Sequence, residues 1–191
     1  DLRTPLTRLK LQLAMIKQQD LAKKMGDDIE EMERMLNDYL EFASQQKKEE
    51  TELININLIV EEVAKKYDSN KVELKLDQKS EIHIRANAIK RCLANFIDNG
   101  LSYGENVKIF SKKTSDMMII MVDDDGPGIP ENEYQNVLKP FYRIDKSRGQ
   151  NKSGVGLGLS IANDIIRSHG GLISFEKSNL GGLRVKISLP F

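Results

Sequence analysis

The sequence predicts an α+β protein in which an N-terminal helical hairpin is followed by an α/β sandwich. Two observations predict it. Apolar residues recur with helical spacing in the N-terminal part, and helix and strand patterns are mixed after the charged segment Lys47-Lys48-Glu49-Glu50. We place the boundary in that segment, which gives a hairpin of residues 1–48 and a second domain of residues 49–191.

The composition is that of a soluble globular protein. Of 191 residues, 39% are hydrophobic and 30% charged, and 29 basic side chains balance 29 acidic ones. This balance argues against a nucleic-acid partner, and no apolar run approaches the ~20 residues of a membrane helix. The single cysteine, Cys92, excludes an internal disulfide. The chain opens inside an apparent helix without an initiator Met, so we expect a fragment whose membrane anchor, if any, lies upstream.

The predicted hairpin has two amphipathic stretches. Gly26 and the acidic pair that follows it predict a break and a new helix N-cap between them. The apolar positions are Leu2, Leu6, Leu9, Leu13 and Ile16, then Ile29, Met32, Leu36, Tyr39 and Ala43. Pairing two such hairpins in a four-helix bundle would bury both apolar stripes, so we predict a homodimer through residues 1–48. Packing of the stripe onto the chain's own second domain remains the alternative.

The second domain contains three predicted helices and a mostly antiparallel sheet. Asn55 is placed to cap a helix through about Lys66, and further helices are predicted over residues 89–101 and 157–168. The predicted strands cover residues 72–76, 82–84, 107–110, 117–122, 172–175 and 183–189, with a polar turn over residues 111–116. The absence of a strict βαβ rhythm favours an α/β sandwich.

A first glycine-bearing loop, Asp124-Asp-Gly126-Pro-Gly128 followed by Ile129, comes directly after an apolar strand. A carboxylate at a strand end can accept a hydrogen bond from an exocyclic amine, and the glycines let the backbone approach a flat ring. A simple β-turn is the alternative. Met121 and Asn132 exclude an EF-hand, because they occupy the first and twelfth positions of such a loop.

A second loop leads into the last predicted helix and contains Gly154, Val155, Gly156, Leu157 and Gly158. Glycines at a helix N-terminus expose backbone N–H groups to a phosphate, and the helix dipole adds to the attraction. Leu159 stands where the third glycine of a dinucleotide-binding fingerprint belongs. Lys152-Ser153 follows Asn151 rather than the glycine that a Walker A loop needs.

A third candidate element lies on the helix predicted over residues 89–101. Asn95 and Asn99 are i,i+4 neighbours, so their amides share one face, and amide oxygens are suitable ligands for Mg²⁺. Tyr103, one turn later, is placed to pack against a base. The alternative is that the two asparagines are ordinary surface or capping groups.

In this order, the three elements resemble the N, G1 and G2 boxes of the GHKL (Bergerat-fold) ATPases. The segment Lys139-Pro-Phe-Tyr142-Arg143 is similar to the family's F box. The polar segment from about Asp145 to Ser153 resembles the family's mobile ATP lid. Gly181-Gly182 resembles the glycines of the family's last hairpin. Gly100 and Ser102 depart from the family pattern, which usually has Ala and often has a basic residue at these positions.

Within that family, Asp1-Leu-Arg-Thr4-Pro5-Leu6 resembles the H box of histidine kinases. The resemblance implies that the phospho-accepting histidine immediately precedes Asp1. Residues 2–9 and 89–95 are most similar to the osmolarity-sensor branch. His83 and His169 lack such a neighbourhood; we expect His83 on a solvent-facing strand, and His169 at a helix C-terminus, favourable with the dipole.

The resemblance further implies ATP and Mg²⁺ as cofactors. Adenine would be held at Asp124, and Mg²⁺ would bind Asn99 with Asn95 close by. The second-loop glycines would hold phosphate, and Arg143, or less favourably Arg148, would balance charge on the γ-phosphoryl group. The remaining implied site residues are Gly126, Gly128, Ile129, Tyr103, Tyr142, Val155 and Leu157.

Other implied roles concern the N-terminal segment and its partners. Asp1 would polarise the acceptor histidine, and Thr4 would position water for dephosphorylating a response regulator. The parent protein would lie at the cytoplasmic face of the bacterial inner membrane. A clamp-type GHKL ATPase and a non-catalytic dimerisation and regulator-binding module are the competing readings.

Overall fold

The chain consists of two compact units, Asp1–Lys48 and Glu49–Phe191. A computed structural model describes residues 49–77, 81–144 and 156–191, together with Met25, Gly26, Ile29, Met32, Glu33 and Leu36 of the first unit. Among these residues, no helix is both long and apolar enough to cross a membrane.

The six described residues of the first unit are all helical. Ile29 is buried, whereas Met32 is 50% exposed within the single chain. Gly26 is itself helical, although glycine in a helix costs about 1 kcal/mol relative to alanine. The acidic pair at which the break and the new N-cap are predicted lies outside the described residues. Leu36, also on the predicted stripe, is half-buried, and the other residues of the predicted apolar stripes lie outside the described residues.

The second unit confirms the predicted α+β class. Its helices are α1 (Ile56–Ala64), α2 (Ala86–Tyr103) and α3 (Gly158–Ser168), with a short 3-10 helix over Glu131–Glu133. Its strands are β1 (Glu52–Asn55), β2 (Val72–Lys75), β3 (Glu81–Ile84), β4 (Val107–Lys113), β5 (Met117–Asp124), β6 (Leu172–Lys177) and β7 (Leu183–Pro190).

Five strands form the main sheet in the order β2-β4-β5-β7-β6. The β2–β4 pair is parallel and the other three pairs are antiparallel, as expected for a mostly antiparallel sandwich. The central β5–β7 pairing sets Asp123 opposite Arg184. Strands β1 and β3 form a separate antiparallel pair. Strand β1 was not predicted, because the segment after the charged linker carries only a short alternation.

The core lies between the sheet and the helices. Buried side chains of β4, β5 and β7, including Ile109, Ile120 and Ile187, form its floor, and the apolar face of α2 covers it. Helix α1 begins as predicted, because the Asn55 side chain accepts a hydrogen bond from the N–H of Asn57 at 3.1 Å.

Helix α2 is longer than predicted. It begins at Ala86, where the Glu49 carboxylate accepts hydrogen bonds from the N–H groups of Asn87 and Ala88 at 2.6 and 3.1 Å. This cap comes from 38 positions upstream of Asn87, so no local pattern reveals it. The predicted 111–116 turn is also too long. Strand β4 continues to Lys113.

The two histidines differ in their surroundings. His83 is exposed on β3, as predicted. His169 ends α3, where its Nδ1 lies 2.7 Å from the Ile165 carbonyl and its Nε2 accepts the N–H of Arg85 at 3.1 Å. Burial, with Arg85 nearby, lowers the pKa of His169. Because Nε2 accepts this bond, Nδ1 is the donor to the Ile165 carbonyl, so His169 interacts with the C-terminus of α3, where it was expected, as a neutral ring.

Candidate functional site

Helix α2 lies between the two glycine-bearing loops. The amide of Asn95 donates a hydrogen bond to the carbonyl of Gly158, the first residue of α3, at 3.2 Å. Gly100, five positions further on, lies against the end of β5: a Cβ added there would be 3.3 Å from Asp124 Cβ and 2.6 Å from Val107 Cγ2. Five positions span about 7.5 Å along a helix. The helix therefore connects the Asp124 loop to the N-terminus of α3.

The closeness of α2 to β4 and β5 gives a packing reason for glycine at position 100. An alanine methyl group would force Val107 to move, whereas glycine lets the helix backbone approach the sheet. The departure from the family pattern at this position is thus accommodated by the local packing. For Ser102 the structure offers no such explanation.

Asp124 is held by backbone groups from two parts of the chain. Its Oδ1 accepts hydrogen bonds from the N–H of Gly126 at 2.9 Å and from the N–H of Leu183 at 3.0 Å. Burial raises its pKa, and these two hydrogen bonds oppose the shift. The carboxylate is therefore fixed in orientation at the end of β5 and retains acceptor positions for a further donor.

Gly182 lies directly against the first glycine-bearing loop, although it is not among the predicted site residues. A Cβ there would lie 2.6 Å from the N of Gly126 and 2.7 Å from the carbonyl oxygen of Asp124, and it would also collide with the Asp124 carboxylate. The Gly182 N–H donates to that carbonyl at 3.2 Å. In the sequence, the Gly181-Gly182 pair indicates only the last hairpin. Its contact with the first glycine-bearing loop arises from the pairing of β5 with β7.

A buried ion pair stabilises the same strand junction. Arg184 Nε and a terminal guanidinium nitrogen each donate to Asp123, at 2.7 Å to Oδ1 and 2.7 Å to Oδ2. Asp123 is 0% exposed. Such bidentate pairing satisfies both carboxylate oxygens and fixes β5 relative to β7. The ion pair therefore stabilises the strand register in which Leu183 lies next to Asp124.

The neighbouring Asp125 stabilises the turn that follows α2 through hydrogen bonds. Its carboxylate accepts from the N–H groups of Glu105 and Asn106 at 2.8 and 2.9 Å, and from the Asn106 amide at 2.7 Å. The bonds from Asn106 lower the pKa of Asp125. Tyr103 ends α2 beside this loop: its ring is 58% exposed, and its carbonyl oxygen would lie 3.1 Å from a Cβ on Gly126.

The second loop meets the segment that resembles the F box. Phe141 donates its N–H to the carbonyl of Gly156 at 3.0 Å. Gly156 has a φ of +76°, and a Cβ there would lie 3.0 Å from the Tyr142 carbonyl oxygen, so only glycine fits this contact without strain. Leu157 is buried just before α3.

Not every predicted site residue is described. Asp1, Thr4, Gly154 and Val155 lie outside the described residues, as does Arg148. Gly128, Ile129, Tyr142 and Arg143 are half-buried. Asp124 is hydrogen-bonded to Gly126 and lies next to Gly100. Asn95 is hydrogen-bonded to Gly158, and the backbone of Tyr142 lies next to Gly156.

The metal-binding capacity of the described residues is small. They contain no group of three or more His, Cys, Asp or Glu side chains that could hold a metal ion. The half-buried amide of Asn99 makes no hydrogen bond to another described residue. The amide nitrogen of Asn95 donates a hydrogen bond to the Gly158 carbonyl, and the amide oxygen of Asn95 is an acceptor. Such a site fits Mg²⁺ only if nucleotide phosphates and waters complete the coordination shell.

Two family descriptions match the chain. "Histidine kinase-, DNA gyrase B-, and HSP90-like ATPase" matches residues 84–191, which contain α2, both glycine-bearing loops and the β6–β7 hairpin. "His Kinase A (phospho-acceptor) domain" matches residues 1–48.

Individual relatives agree with these matches. The chain is 35% identical over 192 residues to the sensor histidine kinase GtrS of Pseudomonas aeruginosa, and 33% identical over 207 residues to the sensor histidine kinase CpxA of Escherichia coli K12. All of this chain is covered, but only 40% and 45% of those relatives. The histidine kinase domain of the E. coli osmosensor EnvZ has a similar structure, with a TM-score of 0.57 and 30% identity, over 73% of this chain and 88% of that one.

Proposed function

We propose that this chain, which belongs to the histidine kinase-, DNA gyrase B- and HSP90-like ATPase family, is the catalytic core of a sensor histidine kinase. It binds Mg·ATP, transfers the γ-phosphoryl group to a histidine immediately upstream of Asp1, and passes it to a response regulator. One observation carries the proposal: α2 contacts the Asp124 loop through Gly100 and the start of α3 through Asn95. The phospho-acceptor match over residues 1–48 supports the choice of a kinase within the family.

In this proposal, the Asp124 loop binds the base. The Asp124 carboxylate accepts a hydrogen bond from the exocyclic amine of adenine, since a carboxylate has more acceptor positions than its two backbone donors use. Gly126, Gly128 and Ile129 let the loop backbone approach the ring. Tyr103 and Tyr142 contribute aromatic surface.

The N-terminus of α3 and the loop before it bind the phosphates. Backbone N–H groups of the second-loop glycines face them, helped by the positive end of the α3 dipole. Asn99 contributes its amide oxygen to Mg²⁺ and Asn95 supports it. When bound, the ion neutralises charge on the phosphate oxygens. Arg143 balances charge at the transferred γ-phosphoryl group. The phosphate-binding residues are Gly154, Val155, Gly156, Leu157 and Gly158.

The N-terminal unit supplies the dimer interface and the residues next to the acceptor histidine. Residues 1–48 form the dimerisation and phosphotransfer hairpin of a homodimer, and residues 49–191 the catalytic domain. Asp1 polarises the acceptor imidazole, and Thr4 positions water for dephosphorylation of the response regulator, giving a phosphatase activity. The parent protein lies at the cytoplasmic face of the bacterial inner membrane and has no nucleic-acid partner. Membership of the osmolarity-sensor branch is a finer proposal, supported by residues 2–9 and 89–95.

The proposal is tested by restoring the acceptor. A chain extended upstream by a helical segment ending in His should incorporate acid-labile, alkali-stable label from γ-³²P-ATP, and the unextended chain should not. In the extended chain, Asn99→Ala should abolish labelling, because Mg²⁺ would lose its amide ligand, whereas the exposed control Asn132→Ala should retain it. Thr4→Ala should spare labelling and slow regulator dephosphorylation. Labelling of the unextended chain, or none after extension, would contradict the proposed acceptor position.

A further inference from the structure

A polar cluster outside both glycine-bearing loops holds Tyr142. The Tyr142 hydroxyl donates a hydrogen bond to Glu133 Oε2 at 2.6 Å, and Asn136 donates its amide to the same oxygen at 3.0 Å. Lys139 Nζ donates to the Asn136 amide oxygen at 2.7 Å. Since a charged acceptor forms a stronger hydrogen bond than a neutral one, the Glu133 carboxylate is the centre of this cluster.

The titration of the pair agrees with this geometry. The hydrogen bond from Tyr142 is the largest influence on Glu133 and lowers the pKa of that carboxyl group. The same bond raises the pKa of the Tyr142 phenol. The ionised carboxylate and the protonated phenol are thus the paired forms at neutral pH.

Tyr142 connects this cluster to the loop before α3. The backbone of Phe141 and Tyr142 packs directly on Gly156, as the Phe141 N–H to Gly156 carbonyl bond shows. Phe141 has a φ of +63°, an unfavourable conformation for a residue with a side chain, so neighbouring contacts must hold it. Its own ring is 58% exposed and supplies little anchoring. The Tyr142 side chain is the adjacent group with a strong fixed partner.

We propose that Glu133 is a positioning residue for nucleotide binding, which acts by holding Tyr142 and thereby the backbone of Phe141 and Tyr142 against Gly156. The inference rests on the proposed function, in which the Gly156 loop binds phosphate. Glu133 lies on the 3-10 helix Glu131–Glu133 and belongs to neither glycine-bearing loop. Its effect on the phosphate-binding backbone would pass through the Tyr142–Glu133 hydrogen bond and then through the hydrogen bond from the Phe141 N–H to the Gly156 carbonyl.

The test compares variants that break this contact from either side. Mg²⁺-dependent binding of a fluorescent ATP analogue is titrated in wild type, Glu133→Ala, Tyr142→Phe and the double variant. Amide exchange at Phe141 is followed in the same proteins. Each single variant should weaken binding about five- to tenfold, and Glu133→Ala should speed exchange at Phe141. The double variant should be no weaker than the worse single variant, because both changes remove the same bond.

Two further variants separate positioning from a general loss of structure. Glu133→Gln should recover part of the affinity, because its amide oxygen can still accept the Tyr142 hydroxyl. Glu131→Ala, an exposed position on the same 3-10 helix, should bind as wild type does. Failure of the wild-type chain to bind the analogue would overturn the proposed function itself. Normal wild-type binding with unchanged affinity in Glu133→Ala, or additive losses in the double variant, would overturn only the role of Glu133.

Discussion

The carboxylate of Asp124 accepts a hydrogen bond from the backbone N–H of Leu183, which lies 59 positions later in the chain. The first glycine-bearing loop is therefore held in place by the β6–β7 hairpin as well as by its own turn. A candidate base-binding carboxylate with a fixed orientation loses no side-chain freedom when it accepts a further donor.

We predict that Asp124→Asn reduces ATP affinity by about ten- to a hundredfold, because a charged acceptor for the exocyclic amine is lost. The fold should persist, since the asparagine oxygen can still accept the N–H groups of Gly126 and Leu183. Titration with a labelled ATP analogue, beside thermal unfolding, measures both effects. Asp116→Asn, on the β4–β5 turn, serves as the control. An unchanged titration for Asp124→Asn would refute the assignment of adenine to this carboxylate.

Gly182→Ala should destabilise the second unit by about 1–3 kcal/mol and weaken nucleotide binding. The added methyl group would collide with Asp124 and with the N of Gly126, so either the hairpin or the glycine-bearing loop must move. Denaturant unfolding and nucleotide titration of the variant measure the two consequences. Leu180→Ala changes a 41% exposed side chain in the same hairpin and should have little effect on either. Equal stability of Gly182→Ala and wild type would show that the close approach is unimportant.

The surroundings of His169 predict a dependence of stability on pH. Burial lowers its pKa below the ordinary 6.5 in the folded protein, so the unfolded chain binds a proton more readily. The contribution to stability is therefore complete above pH 6.5 and is lost as the pH falls from there through the folded pKa. Unfolding free energies measured between pH 8 and pH 5 should decline less steeply for His169→Gln than for wild type.

The matched control for this experiment is His83→Gln. His83 is exposed on β3, and its replacement should leave the slope of stability against pH unchanged. Identical slopes for wild type and His169→Gln would mean that the hydrogen bond from the Arg85 N–H does not hold the imidazole in its neutral form.

The proposed homodimer predicts that Leu36→Asp converts the chain to monomers, because a charge would enter the predicted apolar seam. Sedimentation at tens of micromolar is the measurement. Leu58→Asp places the same charge at a 56% exposed position of α1 and should leave the association unchanged. A monomeric wild-type chain at that concentration would show that the seam has been misinterpreted.

Much of the second unit could be predicted from local patterns. The Asn55 cap marks the start of α1, a continuous apolar run marks β5, and alternating apolar residues mark β7. Element limits were less predictable where polar residues are buried: Ser111 on β4 is hydrogen-bonded to Asn57 at 2.9 Å, so the strand continues through a segment that looks like a turn. The asparagines of α2 and the two glycine-bearing loops were also recognisable, because residue type and order within short segments carry that information.

The arrangement of those segments around one another depends on the tertiary structure. Gly182 and Leu183 reach Asp124 because β5 pairs with β7 in the register that sets Asp123 opposite Arg184. The Glu49 cap on α2 and the Glu133–Tyr142 contact likewise join residues from separate elements. Periodicity reports which face of one helix or strand is apolar, whereas strand order and register decide which backbone groups meet across the fold. These contacts therefore have no signature in any single stretch of sequence.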